Sequence, residues 1–177
     1  TRGMALTAYA GLASRHGILN ASLYSETGVD ARFFVPLDQR TVLALHTALR
    51  YLLEAHRLPF WALSTIGGDR SVIGAQQPLR GFGEGRFSDR DSFSFTAELR
   101  RTVASINAIS THIDLQLAPF VDVGQVFHRL GTDPIDHLHS IAGIGFRGLA
   151  APFVVGYVDV GYGSEGAAVF TGINYPF

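Results

Sequence analysis

The chain has 177 residues, of which 47% are hydrophobic and 16% charged, with a formal net charge of −1 and no cysteine. This length fits one domain, the balanced charge offers no basic surface to nucleic acid, and the missing cysteines exclude disulfide and thiolate–metal frameworks. The best apolar stretch, residues 149–158, is too short for a spanning helix, which needs about 20 residues. If the chain enters a bilayer, it must therefore do so as a closed β-barrel.

Three segments with strand character fill the first third of the chain, at residues 3–13, 23–36 and 39–54, with a predicted turn at 36–38. The third segment shows two alternating faces: Leu43, Leu45, Leu49, Tyr51 and Leu53 against Ala44, His46, Ala48 and Arg50. Successive side chains of a strand point to opposite faces, so this segment has one apolar and one more polar face. Its leucines, alanines and arginine also suit a helix, but the sustained alternation favours a strand.

Residues 56–90 lack this alternation and are rich in residues that interrupt regular structure. These are Gly67, Gly68, Gly74, Pro78, Gly81, Gly83 and Gly85. A long connection without secondary structure is usually functional rather than filler. The sequence therefore predicts a long functional loop at about 56–90.

Five further strands are predicted in the rest of the chain, at 91–103, 111–127, 138–149, 152–163 and 167–177, with a tight turn at 151–152. The first of them alternates strictly: Phe93, Phe95, Ala97 and Leu99 against Ser92, Ser94, Thr96, Glu98 and Arg100. Strands of this length exceed the usual 5–6 residues of soluble proteins. They suit the tilted crossing of about 9–11 residues in a membrane barrel.

Two all-β architectures fit the alternation. A soluble β-sandwich buries the apolar faces, whereas a transmembrane barrel turns them towards lipid and lines its lumen with the polar ones. Three features favour an antiparallel transmembrane β-barrel over residues 1–177: the long strands, the few charges in loops, and an apolar and aromatic last strand. That strand carries Val169, Thr171, Ile173, Tyr175 and Phe177.

Three short motifs follow one another in an order known from one family. They are Pro-Leu-Arg-Gly-Phe at 78–82, Thr-Ala-Glu-Leu-Arg at 96–100 and Phe-Val-Asp-Val-Gly at 120–124, and the chain closes on Phe177. Over essentially its whole length the sequence resembles the C-terminal half of the bacterial surface antigen superfamily. This superfamily comprises BamA/TamA-like outer-membrane barrel-assembly proteins and two-partner-secretion transporters.

The resemblance implies a loop that folds into the barrel lumen. Arg80 would be the loop arginine, Glu98 and Asp122 its acidic partners on the wall, Gly81 the tight backbone at the loop tip, and Phe82 its packing neighbour. The alternation independently places both carboxylates on lumen-facing positions. The planar fork of an arginine can bridge two carboxylates, so we expect Arg80 within hydrogen-bonding distance of Glu98 or Asp122.

The resemblance also implies how the chain is used. Tyr175 and Phe177 would form the C-terminal signal that the assembly machinery reads. The eight strands would be half of a sixteen-stranded barrel, or else a small barrel, and the chain would be the C-terminal part of a longer exported precursor, in which POTRA domains usually come first. Location in the bacterial outer membrane and partnership with lipid, client outer-membrane or secreted polypeptides and accessory assembly proteins follow as expectations.

We therefore expect a barrel that inserts outer-membrane proteins or translocates polypeptides, and not an enzyme. No serine, histidine and acidic residues show a spacing typical of a catalytic triad, and we expect neither cofactor nor metal. Two alternatives remain open. One is a barrel that anchors or secretes a fused N-terminal domain such as a lipase, and the other is a soluble β-sandwich binding module.

Overall fold

Eight long strands form one antiparallel sheet in the computed structural model, which describes residues 2–16, 21–56, 58–108, 111–150 and 153–177. The long strands are β1 (Gly3–His16), β2 (Ala21–Pro36), β3 (Thr41–His56), β7 (Asp91–Ala108), β8 (Thr111–Phe127), β9 (His139–Ala150), β10 (Phe153–Gly163) and β11 (Gly166–Gly172). Each pairs with the next along the chain, and β3 pairs directly with β7. The predicted all-β antiparallel architecture is confirmed, and a strand lies at each of the eight predicted positions, although the last one ends earlier than predicted.

The sheet is open, because β1 and β11 each pair on one side only among the described residues. It is nevertheless strongly curved, since the ring of Phe177, beyond β11, stacks on His46 of β3. The alternative of a small closed barrel is therefore wrong for this chain. The interior of an eight-stranded barrel is only wide enough for side chains, whereas the concave face of this sheet holds a folded loop as well.

The last predicted strand, at 167–177, is correct only as far as Gly172. Asn174 has a positive φ of 75°, a conformation that does not continue a strand. Pro176 has no backbone N–H and cannot donate to a ladder. Residues 173–177 therefore leave the sheet and turn to its concave face, where Pro176 and Phe177 are buried. The turn predicted at 151–152 lies outside the described residues.

The two faces of the sheet differ sharply in polarity. Large apolar side chains are exposed on the convex face, among them Leu6, Phe33, Leu99, Val121, Phe146 and Val158. The concave face buries charged and polar side chains, among them His46, Arg50, Glu98, Asp122, Arg147 and Asp159. This arrangement reverses that of a soluble protein, and one large sheet with an apolar convex face is not a β-sandwich. The described part of the chain contains no helix long and apolar enough to cross a membrane.

The long connection between β3 and β7 is folded rather than structureless. It contains a 3-10 turn at Phe60–Ala62 and a small sheet of β4 (Ser64–Ile66), β5 (Gln76–Gln77) and β6 (Phe87–Asp89), in the order β5-β4-β6. These strands are too short to show an alternation in the sequence. We call residues 58–90 the lumen loop, because Ile66, Leu79 and Phe82 pack with Ile141 of β9 on the concave face.

The connections define two ends of the sheet. At one end, which we call the loop end, residues 57–90 and 128–138 form long connections. At the other, the turn end, the connections span four residues or fewer, as at 37–40. The lumen loop therefore enters from the loop end of the sheet.

Candidate functional site

Arg80 of the lumen loop is completely buried against the concave face of the sheet. Its Nε and Nη2 donate to Asp122 Oδ2 and Oδ1, both at 2.9 Å, in a two-pronged pair. Its Nη1 donates to Glu98 Oε2 and to Asp159 Oδ2, each at 2.8 Å. The backbone N–H of Arg80 also donates to Asp122 Oδ2, at 3.0 Å. The structure thus brings together Arg80, Glu98 and Asp122, and adds a third carboxylate that the sequence analysis missed.

The strand geometry explains why three carboxylates meet one guanidinium. Glu98 lies on β7, Asp122 on β8 and Asp159 on β10, all at positions that face the lumen. β9 runs between the last two and carries Gly145 opposite Asp159. A Cβ on Gly145 would overlap Asp159 Oδ1, so the missing side chain gives this carboxylate its room. Asp159 is the only charged residue between 152 and 163, a signal that could have identified it.

Two more arginines complete what we call the arginine–carboxylate cluster. Its members are Arg80, Arg100, Arg147, Glu98, Asp122 and Asp159. Arg100 Nε lies 2.6 Å from Glu98 Oε1, and Arg147 Nη2 lies 3.0 Å from Glu98 Oε2 and 3.3 Å from Asp159 Oδ1. Three cations thus balance three anions in a buried setting. Buried charges are tolerated when they are paired and hydrogen-bonded in this way.

The charge state of Arg80 is fixed by these neighbours. Burial lowers the pKa of the Arg80 guanidinium, but the carboxylates of Asp122, Glu98 and Asp159 outweigh this effect and raise the pKa above its ordinary value. The guanidinium also lies over the ring of Phe120, 3.5 Å from its centroid, in a cation–π contact. Arg80 is therefore a permanent cation at the centre of the cluster.

Gly81 and Phe82 fit the loop tip closely to the wall. Gly81 has a φ of +149°, and a Cβ built on it would lie 2.8 Å from Ile141 Cγ2. Phe82 is 2% exposed and packs edge-on against Phe87, with ring centroids 5.0 Å apart. On the other side of the tip, Gly161 leaves space for the Arg80 carbonyl. The tip is thus held by side-chain packing as well as by charge.

Tyr175 and Phe177 lie on the concave face rather than in a lipid-facing strand. The Arg100 guanidinium is 4.2 Å from the ring centroid of Tyr175 and 5.0 Å from that of Phe177. The Phe177 ring stacks on His46, which in turn shares a 2.8 Å hydrogen bond with Asp30. The two aromatics therefore link the arginine–carboxylate cluster to β3.

Further contacts seat the lumen loop across the width of the sheet. The Tyr157 hydroxyl of β10 bonds to the Asp69 carboxylate in the loop. Near the opposite edge, Gly74 of the loop lies beside Tyr9 of β1. At the loop end, Arg86 pairs with Glu165 of the β10–β11 turn at 2.8 Å. No motif in the sequence marks these pairs, since each joins positions far apart in the chain.

Asp91, at the start of β7, is a buried carboxylate that connects two separate segments of the chain. The sequence analysis did not identify it. Its Oδ1 accepts from the backbone N–H of Leu52 in β3 at 2.8 Å, and its Oδ2 accepts from that of Leu130 in the β8–β9 connection at 2.7 Å. One carboxylate thus satisfies two main-chain donors of separate segments at the loop end.

We expect Asp91→Ala to loosen the loop end without unfolding the sheet. A buried N–H left without an acceptor costs about 1–3 kcal/mol, so the buried Leu52 amide should exchange with solvent deuterons at least about fivefold faster, and the part-buried Leu130 amide should also exchange faster. Asp89→Ala is the matched control, because Asp89 accepts from the backbone of its neighbour Arg90 and contacts the exposed His128. Unchanged exchange at both amides in Asp91→Ala would show that these contacts are unimportant.

Comparison with known families agrees with this geometry. The Omp85 superfamily domain matches residues 1–162. This chain belongs to the Omp85 superfamily. Omp85 barrels reside in the bacterial outer membrane, are associated with the assembly of outer-membrane proteins or with polypeptide translocation, and are generally not enzymes. The predicted family and location are confirmed, and the membrane explains the apolar convex face. Searches of curated proteins and of solved structures give no significant match.

Proposed function

We propose that this Omp85 domain inserts outer-membrane proteins or translocates polypeptides, and that its lumen loop braces the barrel wall for this task. The observation that carries the proposal is the burial of Arg80 among carboxylates from three different strands. A single loop residue thereby couples the positions of β7, β8 and β10. We infer that Gly81 and Phe82 serve the same brace by fitting the tip to the wall.

The edge of the sheet supports a role with client strands. Among the described residues, β11 pairs only with β10, and the chain turns inward after Gly172. A strand edge with unpaired N–H and C=O groups can template another strand. In this proposal the brace keeps the wall rigid while the edge of β11 is used by client polypeptides, with accessory assembly proteins as further partners.

The inward position of Tyr175 and Phe177 bears on their proposed role as an assembly signal. Phe177 is 8% exposed, and Tyr175 lies against Arg100 and Arg147. Assembly machinery would therefore read these aromatics before the domain folds. After folding, the same side chains would support the arginine–carboxylate cluster.

The brace is tested by Arg80→Lys in the native protein. Lysine keeps the charge but lacks the planar fork that contacts three carboxylates at once. We expect the barrel to form, as judged by a band that shifts on boiling, while insertion of client outer-membrane proteins or secretion of client polypeptide falls about tenfold. Such a fall corresponds to a loss of about 1.4 kcal/mol.

Arg86→Lys is the matched control, because Arg86 is an exposed loop arginine outside the arginine–carboxylate cluster, and lysine keeps the charge that faces Glu165. It should assemble and function normally. If Arg80→Lys folded and left both client insertion and secretion unchanged, the brace would be irrelevant to function. The domain would then serve as a membrane anchor for other parts of the protein.

A further inference from the structure

The convex, lipid-facing side of the sheet carries an apolar groove of about 700 Å³ in its turn-end half. Its wall consists mainly of Val103, Leu115, Leu117, Phe146, Val158 and Ile173, contributed by β7 to β10 and by the residue after β11. Binding sites for small molecules usually have volumes of about 300–1,000 Å³. The groove is thus large enough for a specific ligand. Arg147 and Tyr157, whose side chains contact groups of the lumen site, also border it.

Two paired glycines create its floor. Gly148 of β9 lies opposite Gly156 of β10, and the register of these strands shifts between Val154 and Gly156. A Cβ on Gly148 would come no closer than 3.9 Å to another residue, and one on Gly156 no closer than 3.6 Å. Side chains would fit at both positions, so the absence of both leaves a depression in the outer wall.

An exposed arginine lies beside the groove. Arg101 of β7 pairs in register with Leu117, which lines the groove, so both side chains point to the outer face, and Val103, at the register shift that follows, lines the groove as well. The Arg101 side chain is 60% exposed, with Asp38 at 3.9 Å and the Thr41 hydroxyl at 3.4 Å. The Asp38 carboxylate already accepts a 2.7 Å bond from the Arg40 backbone. The Arg101 guanidinium therefore has donors left for another acceptor.

We propose that this groove binds one phospholipid, with its headgroup phosphate on Arg101 and an acyl chain along the apolar wall. The face is in the membrane because the chain is an Omp85 barrel, so lipid is the ligand that meets it. A guanidinium matches the geometry of a phosphate through paired N–H donors. Arg101 is exposed and keeps free donors, so its positive charge is available to the anionic phosphate. The proposal is independent of the braced loop.

The test uses fluorescence quenching in the detergent-purified protein. Trp61, the only tryptophan, is replaced by phenylalanine, and Phe146→Trp places a reporter in the groove. Titration with dibrominated phosphatidylglycerol should quench the reporter saturably. Dibrominated diacylglycerol, which lacks the phosphate, should need about tenfold more lipid for half-quenching, as expected for the loss of about 1.4 kcal/mol of binding free energy.

Arg101→Gln should remove the difference between the two lipids, and Gly148→Leu, which fills the floor, should weaken quenching by both. Arg86→Gln, at the opposite end of the sheet, is the matched control and should behave like the parent. A boiling-shift gel on each variant checks that the barrel is intact. Equal quenching curves for the two lipids in the parent, or a difference that survives in Arg101→Gln, would overturn the site and indicate ordinary annular lipid.

Discussion

Arg80→Met is expected to undock the lumen loop and to lower the stability of the domain by about 3–5 kcal/mol. Methionine roughly preserves the length of the side chain but removes its charge and donors. Glu98, Asp122 and Asp159 would then face two arginines instead of three, in a setting where all six side chains are buried. Removing one partner from a buried ion pair is costly because it leaves an uncompensated charge.

The measurement is hydrogen exchange over β4 to β6 together with the temperature at which the barrel band shifts on a gel.

A second variant separates charge imbalance from lost packing. Arg80→Met combined with Asp159→Asn restores equal numbers of cations and anions, so part of the lost stability should return. If the double variant were as unstable as the sum of the two single ones, the charges would not be coupled.

Gly161→Ala is expected to displace the loop tip although it adds only a methyl group. A Cβ on Gly161 would overlap the carbonyl oxygen of Arg80 and would lie 2.7 Å from its carbonyl carbon. The obstacle is backbone, which cannot rotate away as a side chain can. Overpacking of this kind typically costs about 1–3 kcal/mol, and shifting the tip also lengthens the contacts of the Arg80 guanidinium.

The readout is faster exchange of the Arg80 and Phe82 amides, with client insertion falling as in Arg80→Lys. Gly156→Ala is the matched control on the same strand, since its Cβ would stand 3.6 Å from the Gly172 carbonyl oxygen, an ordinary contact. Any general loss of strand flexibility would affect both variants alike. Equal behaviour of the two would mean that the loop tip does not need the space at Gly161.

Much of the fold could be predicted because the alternation of apolar and polar residues reports directly on the two faces of a strand. His46, Arg50, Glu98 and Asp122 all lie on the predicted polar face, and this face is the concave one. The pattern failed where backbone conformation decides. The strand predicted at 167–177 has good alternation, yet Asn174 and Pro176 end the ladder early.

The candidate site could be predicted only in part. The sequence motifs identified Arg80, Glu98 and Asp122, but Arg147 and Asp159 carry no motif and lie 67 and 79 residues beyond Arg80, as their sequence numbers show. Their meeting depends on the register between β8, β9 and β10. Alternation excludes a shift of one residue but not a shift of two, which the connections between the strands must exclude. The contacts of Asp91 could not be predicted for the same reason, because its carboxylate oxygens accept from main-chain N–H groups in distant segments.

The spread of the Arg80 partners along the chain also constrains the order of folding. Glu98 and Asp122 become available once β7 and β8 have paired, but Asp159 arrives only with β10. Contacts between residues far apart in sequence form late, because the entropy of closing the intervening chain must be overcome first. We therefore expect final docking of the lumen loop to follow the pairing of β10. Arg80 would then stabilise the barrel fully only when nearly all of this wall has formed.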